Sequence, residues 1–135
     1  MEINGFDALI ATLPQNVTYV TELSRYDYPQ AYIFAVFPRD SEPALVVSLG
    51  DADLVADSPC MVKDIRFYGE FYVTPLKEKI PSLSEAEAKL NSITLRAKPK
   101  EDAIKAFVEV IQDRGLDQKK LGLDESCIKP SDWQR

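Results

Sequence analysis

Four consecutive residues, Arg25, Tyr26, Asp27 and Tyr28, put a guanidinium, a carboxylate and two phenol rings into one short stretch ahead of Pro29. Arginine there suits a paired hydrogen bond to a ligand carboxylate, the tyrosines suit the walls of an apolar pocket, and the proline stiffens the loop. Arginine with aromatic residues is also the composition of interface hot spots. The same residues fit equally well a surface loop with two half-buried tyrosines. Elsewhere the chemistry is sparse. The chain contains no histidine, so no imidazole is present to activate a Ser or Cys nucleophile. Carboxylate pairs of the kind glycosidases use need two converging acids, whereas the Asp and Glu residues are spread as on a solvated surface. Asp51 and Asp53 are spaced like two metal ligands but have no third ligand nearby, and acidic residues at a helix start are favoured by the helix dipole alone. Cys60 and Cys127 lie far apart without a C-x-x-C spacing, which suggests buried free thiols rather than zinc or redox chemistry. Asn16-Val17-Thr18 matches a glycosylation acceptor, but without a secretory signal Asn16 is better read as a helix cap. No catalytic or metal-binding residue is therefore expected in this chain.

Composition narrows the class further. The 135 residues carry 16 basic and 22 acidic side chains, a net charge of −6, which disfavours a phosphate backbone as partner. One domain of this length buries roughly two-thirds of its unfolded surface and needs no staple or cofactor to fold. No apolar stretch approaches the ~20 residues of a membrane span, and the first residues lack a charged region followed by an apolar one. A cytoplasmic protein with neither a membrane nor a nucleic-acid partner is expected.

The elements that would position these residues can be read from periodicity. Ala8 to Leu13 is a continuous apolar run of strand length, which predicts a strand covered on both faces. Pro14 should stop it. Asn16 would then cap a helix whose inward face is Val17, Tyr19, Val20 and Leu23. Ala31 to Phe37 and Ala44 to Leu49, joined by the turn Pro38 to Pro43, predict an antiparallel hairpin and hence a mixed sheet. Asp64 to Tyr68 alternates like a strand near the sheet edge and ends at Gly69. Residues 70–95 read as a peripheral insertion with a helix from about Ser84 to Asn91, started by a capping box of Ser82 with Glu85 or Ser84 with Glu87. Arg96 to Lys100 reads as a solvated connector. The clearest helix runs from Pro99 or Lys100 to Arg114, with Ala103, Ile104, Phe107, Val108 and Ile111 in one stripe and Gly115 as its stop. A short strand at Leu121 to Glu125 follows, and Ser131-Asp132-Trp133 would start a last helix. The fold class is α/β, a mixed sheet flanked by helices.

Most of this pattern, Gly5 to Glu22, the hairpin, Asp64 to Gly69 and Ala103 to Glu125, resembles a known family, and two stretches carry its motifs. Gly5-Phe6-Asp7-Ala8-Leu9-Ile10-Ala11-Thr12, with Pro14-Gln15-Asn16-Val17-Thr18-Tyr19-Val20-Thr21 after it, is similar to the opening strand and turn of the creatinase/prolidase N-terminal domain. That is the non-catalytic half of Xaa-Pro aminopeptidases, prolidases and creatinases. Gln15 replaces the family's usual Glu, and Glu22 stands where the family usually has Gly. Gly115-Leu116-Asp117 and Leu121-Gly122-Leu123-Asp124 resemble the way that domain brings in its last strand. The resemblance implies a ribonuclease H-like arrangement, with residues 1–135 forming one such domain cut from a longer chain before its C-terminal catalytic domain. It also implies two divalent metal ions, held by carboxylates and a His of that absent domain, and hydrolysis of an Xaa-Pro bond or a related amide. The domain's partners would be the catalytic domain of its own protein and further copies, as a homodimer or higher oligomer. The loop carrying Arg25, Tyr26, Asp27 and Tyr28 would close a neighbouring subunit's active site.

Two other readings stay open on the residues alone. The chain suits a free-standing α/β binding or assembly module without enzymatic role. An independent carboxylate enzyme is disfavoured by the lack of a converging acidic cluster.

Overall fold

A computed structural model of the protein describes residues 5–23, 32–71, 82–124 and 131. Its elements are β1 (Ala8–Ala11), α1 (Pro14–Thr21), β2 (Phe34–Pro38), β3 (Ala44–Ser48), α2 (Ala52–Asp57), β4 (Asp64–Tyr68), α3 (Glu85–Arg96), α4 (Ala103–Asp113) and β5 (Leu121–Leu123). The five strands form one sheet in the order β4-β3-β2-β1-β5. β1, β2 and β3 pair antiparallel, whereas β4 joins β3 and β5 joins β1 in parallel. The expected hairpin, mixed sheet and edge position of β4 are all present.

The continuous apolar runs of β2 and β3 exist because both faces of the sheet are covered. Alternate residues Phe34, Val36, Ala44 and Val46 join Ala8 and Ile10 beneath the α4 stripe of Ala103, Ile104, Ala106, Val110 and Ile111. Ala35, Leu45 and Val47 point the other way, toward Val17 and Leu23 of the α1 region, Val55 of α2 and Val62. The result is three layers: α4, the sheet, and the group formed by α1, α2 and α3. Phe34 stacks on Phe107 at a centroid distance of 4.5 Å, which fixes α4 over the middle of the sheet.

Four local readings are corrected. Strand β1 is four residues long rather than six, and it is not covered on both faces: Leu9 is 41% exposed. It borders an open apolar recess of about 540 Å³ with Phe6, Val20, Phe37 and Gly122. Helix α1 buries Val17 and Thr21, while Tyr19 is 88% exposed. A short helix beside the end of a sheet needs only a narrow seam, so the apolar residue at position 19 falls outside it. Helix α3 extends to Arg96, five residues beyond the expected end, behind the capping box of Ser84 with Glu87. Finally, the Arg96 to Lys100 connector is not simply solvated. The Lys100 N–H donates to the Phe67 carbonyl at 2.9 Å and its carbonyl accepts from Gly69 N–H at 2.9 Å, a single bridge on the outer edge of β4.

Cys60 is a free, half-buried thiol. Cys127 and the helix expected from Ser131 to Trp133 lie outside the described residues, Ser131 apart. Among the described residues no helix is long and apolar enough to cross a membrane.

Candidate functional site

The two stretches of sequence that carry the family resemblance lie more than ninety residues apart and form one unit. β1 and β5 run side by side, with Ala8, Leu9 and Ile10 opposite Leu121, Gly122 and Leu123. A carboxylate clasps the pair at each end. At the start, Asp7 accepts from the Lys120 backbone N–H at 3.0 Å and from the Arg39 guanidinium at 3.0 Å, while the Asp7 N–H donates to the Lys120 carbonyl at 2.8 Å.

At the far end Asp124 does the same on a larger scale. Its Oδ1 accepts from the Thr12 N–H and the Thr12 hydroxyl, both at 2.6 Å. Its Oδ2 accepts from the Leu13 N–H at 3.1 Å and from Asn16 Nδ2 at 2.8 Å. These donors surround the start of α1, where backbone N–H groups lack intrahelical partners and the helix dipole favours negative charge. The expectation for Asn16 is therefore corrected. The N-cap residue is Leu13, which supplies no side-chain bond, and Pro14 opens the helix instead of merely stopping the strand. Proline suits the first helical position because its missing N–H has no partner to lose there. Asn16 donates to Asp124, and the capping carboxylate comes from 112 residues away.

Residues Arg25, Tyr26, Asp27 and Tyr28 lie outside the described residues, and the described chain flanks them up to Leu23 and from Tyr32. On the first stem Thr21 is fully buried; its hydroxyl donates to the Val17 carbonyl at 2.7 Å and accepts from Leu23 N–H at 3.1 Å. The Thr18 hydroxyl donates to the Leu23 carbonyl at 3.0 Å, and Met61 N–H donates to the Thr21 carbonyl at 3.1 Å. Leu23 itself is in the core. On the second stem Ile33 is buried, and the Tyr32 carbonyl accepts from the Tyr68 hydroxyl at 2.7 Å. The described residues on either side are thus tied to α1, to the segment before β4 and to β4 itself.

Between those anchors stands Glu22, the departure from the family pattern. It adopts φ 59° and ψ 13°, the left-handed conformation that closes α1, and its N–H donates to the Thr18 carbonyl. This is a conformation that favours glycine. The position keeps the backbone shape that a glycine would adopt freely, with a side chain that strains it.

Electrostatically, the best-defined group sits away from the loop. Asp64 on β4 accepts from Arg66 Nε at 2.6 Å and from Arg114 at 2.7 Å, and Arg66 reaches Asp113 at 3.0 Å. The hydrogen bonds that the Arg66 guanidinium donates to Asp64, and then to Asp113, hold it above its ordinary pKa against a partial desolvation. This network staples α4 to β4. Among the described residues no three His, Cys, Asp or Glu side chains converge as metal ligands, and Asp51 and Asp53 belong to the start of α2.

The fold defines a mixed α/β domain whose residues of recognisable spacing are structural clasps. Compared with known proteins, the chain matches no family model and no curated protein. Two solved structures are similar to it. One is a Creatine_N superfamily domain of a dipeptidase from Streptococcus thermophilus, at 14% identity over 82% of this chain and 90% of that one, with a TM-score of 0.42. The other is a proline dipeptidase from Streptococcus pneumoniae, at 18% identity over 87% and 92%, with a TM-score of 0.40.

Proposed function

We propose that this chain is the N-terminal, non-catalytic domain of a metal-dependent Xaa-Pro peptidase of the creatinase/prolidase kind, cytoplasmic, assembling as a dimer or higher oligomer. Its loop of Arg25, Tyr26, Asp27 and Tyr28 is lent to a neighbouring active site. The observation that carries this reading is the coupling of the two family-like stretches. Asp7 and Asp124, one in each, hold β1 and β5 together from both ends. These stretches make the β5 edge of the sheet and hold the start of α1, which leads into residues 24–31. The loop stems support the second part, since a loop that shapes another subunit's site must be presented by a rigid base. In this reading the two divalent ions belong to the catalytic domain.

The test is to express the full polypeptide encoded with this chain, load it with divalent metal and measure Xaa-Pro dipeptide hydrolysis. Activity is expected. Arg25→Ala should lower kcat/KM about tenfold to a hundredfold, the worth of a charged hydrogen bond to a substrate carboxylate, with metal content unchanged. A reading frame ending at Arg135, or continuing without a carboxylate and His ligand set, overturns the reading in favour of a free-standing binding module. Unchanged kcat/KM removes Arg25 from the site.

A further inference from the structure

Charge is distributed unevenly over this acidic chain. Among the described residues, six basic side chains, Lys63, Arg66, Lys89, Arg96, Lys98 and Lys100, line one cleft, and the only acidic one that does so is Glu109. The cleft is open, about 580 Å³, and its floor is apolar, made by Val55, Ile65, Phe67 and Ile93. That volume lies within the about 300–1,000 Å³ of ordinary ligand clefts. Two of the basic side chains are already used within the fold: Arg66 pairs with Asp64 and Asp113, and Lys100 with Glu109 at 2.7 Å. Lys89 donates to the Ser58 carbonyl at 3.4 Å. Lys63, Arg96 and Lys98 are exposed and make no ion pair among the described residues.

The cleft also contains backbone that no bridge covers among the described residues. β4 is an edge strand, paired on its inner side with β3. On its outer side the Phe67 carbonyl and the Gly69 N–H are taken by Lys100. By the two-residue alternation of a strand, Ile65 presents its N–H and carbonyl to the same outer edge, as Phe67 does its N–H. No bridge covers them among the described residues, because the connector meets β4 only at the Tyr68 level. An open strand edge is a template for a further strand.

We propose that this cleft binds an extended acidic peptide segment of a partner protein, added as a short strand on the outer edge of β4. Its backbone pairs with Ile65 and Phe67, alternate apolar side chains lie on Phe67 and Ile93, and its carboxylates meet Lys63, Arg96 and Lys98. The strand edge and the apolar floor favour a peptide over a polyphosphate or nucleic-acid phosphate backbone, which would pair with neither. This assignment is independent of the peptidase reading, since it uses neither the loop nor a catalytic domain.

The test uses the full chain and a fluorescent peptide of alternating Glu and Val, read by anisotropy and by amide chemical shifts. Saturable binding is expected, with the largest shifts at Ile65 and Phe67 and affinity falling as salt is raised. The double variant Lys63→Glu, Lys98→Glu should weaken binding at least tenfold; both side chains are exposed and outside helices, and circular dichroism checks that the fold is kept. The same peptide N-methylated at alternate residues keeps its charges but cannot pair with a strand edge, and should not bind. Equal binding of a Lys-Val peptide, undiminished binding of the N-methylated peptide, or a double variant within twofold of wild type overturns the proposal. So does tripolyphosphate or a single-stranded oligonucleotide shifting these residues when the Glu-Val peptide does not.

Discussion

Asp124 offers the sharpest check on how this domain is held together. Substituting it with Ala removes acceptors from four donors, which differ in what they lose. Thr12 is 4% exposed, so its N–H, now bonded to Oδ1 at 2.6 Å, would be left buried and unpaired at a cost of about 1–3 kcal/mol. The Thr12 hydroxyl keeps a second acceptor, the Asp124 backbone carbonyl at 2.9 Å, and loses little. Leu13 N–H is half-buried and adds about 1 kcal/mol with the lost helix-end charge, while the exposed Asn16 amide turns to water. The sum is about 2–4 kcal/mol for Asp124→Ala. Asp124→Asn keeps one oxygen for Thr12 but turns an amide toward Leu13, and should cost about half as much. Asn16→Ala should cost less than about 0.5 kcal/mol, as surface substitutions do. Urea unfolding followed by far-ultraviolet circular dichroism measures all three, and an unchanged m-value shows that the transitions are comparable. The reasoning is refuted if Asp124→Ala costs under 1 kcal/mol, or if Asn16→Ala costs as much as Asp124→Ala, because Asn16 would then be the cap.

Three further outcomes follow from the same geometry. Glu22→Gly should stabilise the domain by about 1 kcal/mol, the left-handed strain of roughly 1–2 kcal/mol less the unfolded-chain entropy of glycine. Its melting temperature should rise about 3–5 °C, with Glu22→Ala near wild type as the control; a fall on Glu22→Gly would contradict the strain at this cap. The Ser84 hydroxyl and backbone N–H hold the Glu87 carboxyl below its usual pKa. A lowered folded value means that the capping box contributes its stability above the ordinary Glu value near 4.3 and loses it as pH falls through the folded value. Titrating Glu87 by carbon-detected NMR should show this, and a midpoint at or above the ordinary value would count against the box. Asp64→Ala should cost about 1–3 kcal/mol, since Arg66 and Arg114 would face each other across β4 and α4 without the carboxylate between them. A melting temperature within 1 °C of wild type would show that the network is only decorative.

Much of the fold is legible in local pattern. The hairpin of β2 and β3 follows from two apolar runs around a polar turn, and the α4 stripe from its 3.6-residue period. Gly115, with φ 62°, closes α4 through the Leu116 N–H to Ile111 carbonyl bond at 2.8 Å. The Ser84 box is likewise a spacing visible by eye. Tyr19 is a different case. It fits the period of α1 as well as Val17 does, and its exposure depends on how far the neighbouring layer extends. Asp124 is no more conspicuous than any other acid after a strand, and it becomes a cap only because β5 lies parallel to β1. The basic cleft is similarly dispersed, with Lys63, Lys89 and Lys98 in three separate segments, of which only residues 96–100 look basic in sequence.

What the sequence determined by itself is therefore the set of elements, their class and the resemblance carried by Gly5 to Glu22 and Gly115 to Asp124, because strand runs, helix stripes, turns and caps are encoded by neighbours a few residues apart. What only the tertiary structure decided is which distant groups meet: Asp124 with Thr12, Asp7 with Lys120, Asp64 with Arg114, and four lysines around the cleft beside β4. Those contacts depend on strand order and direction, which set distances between residues that local spacing does not relate.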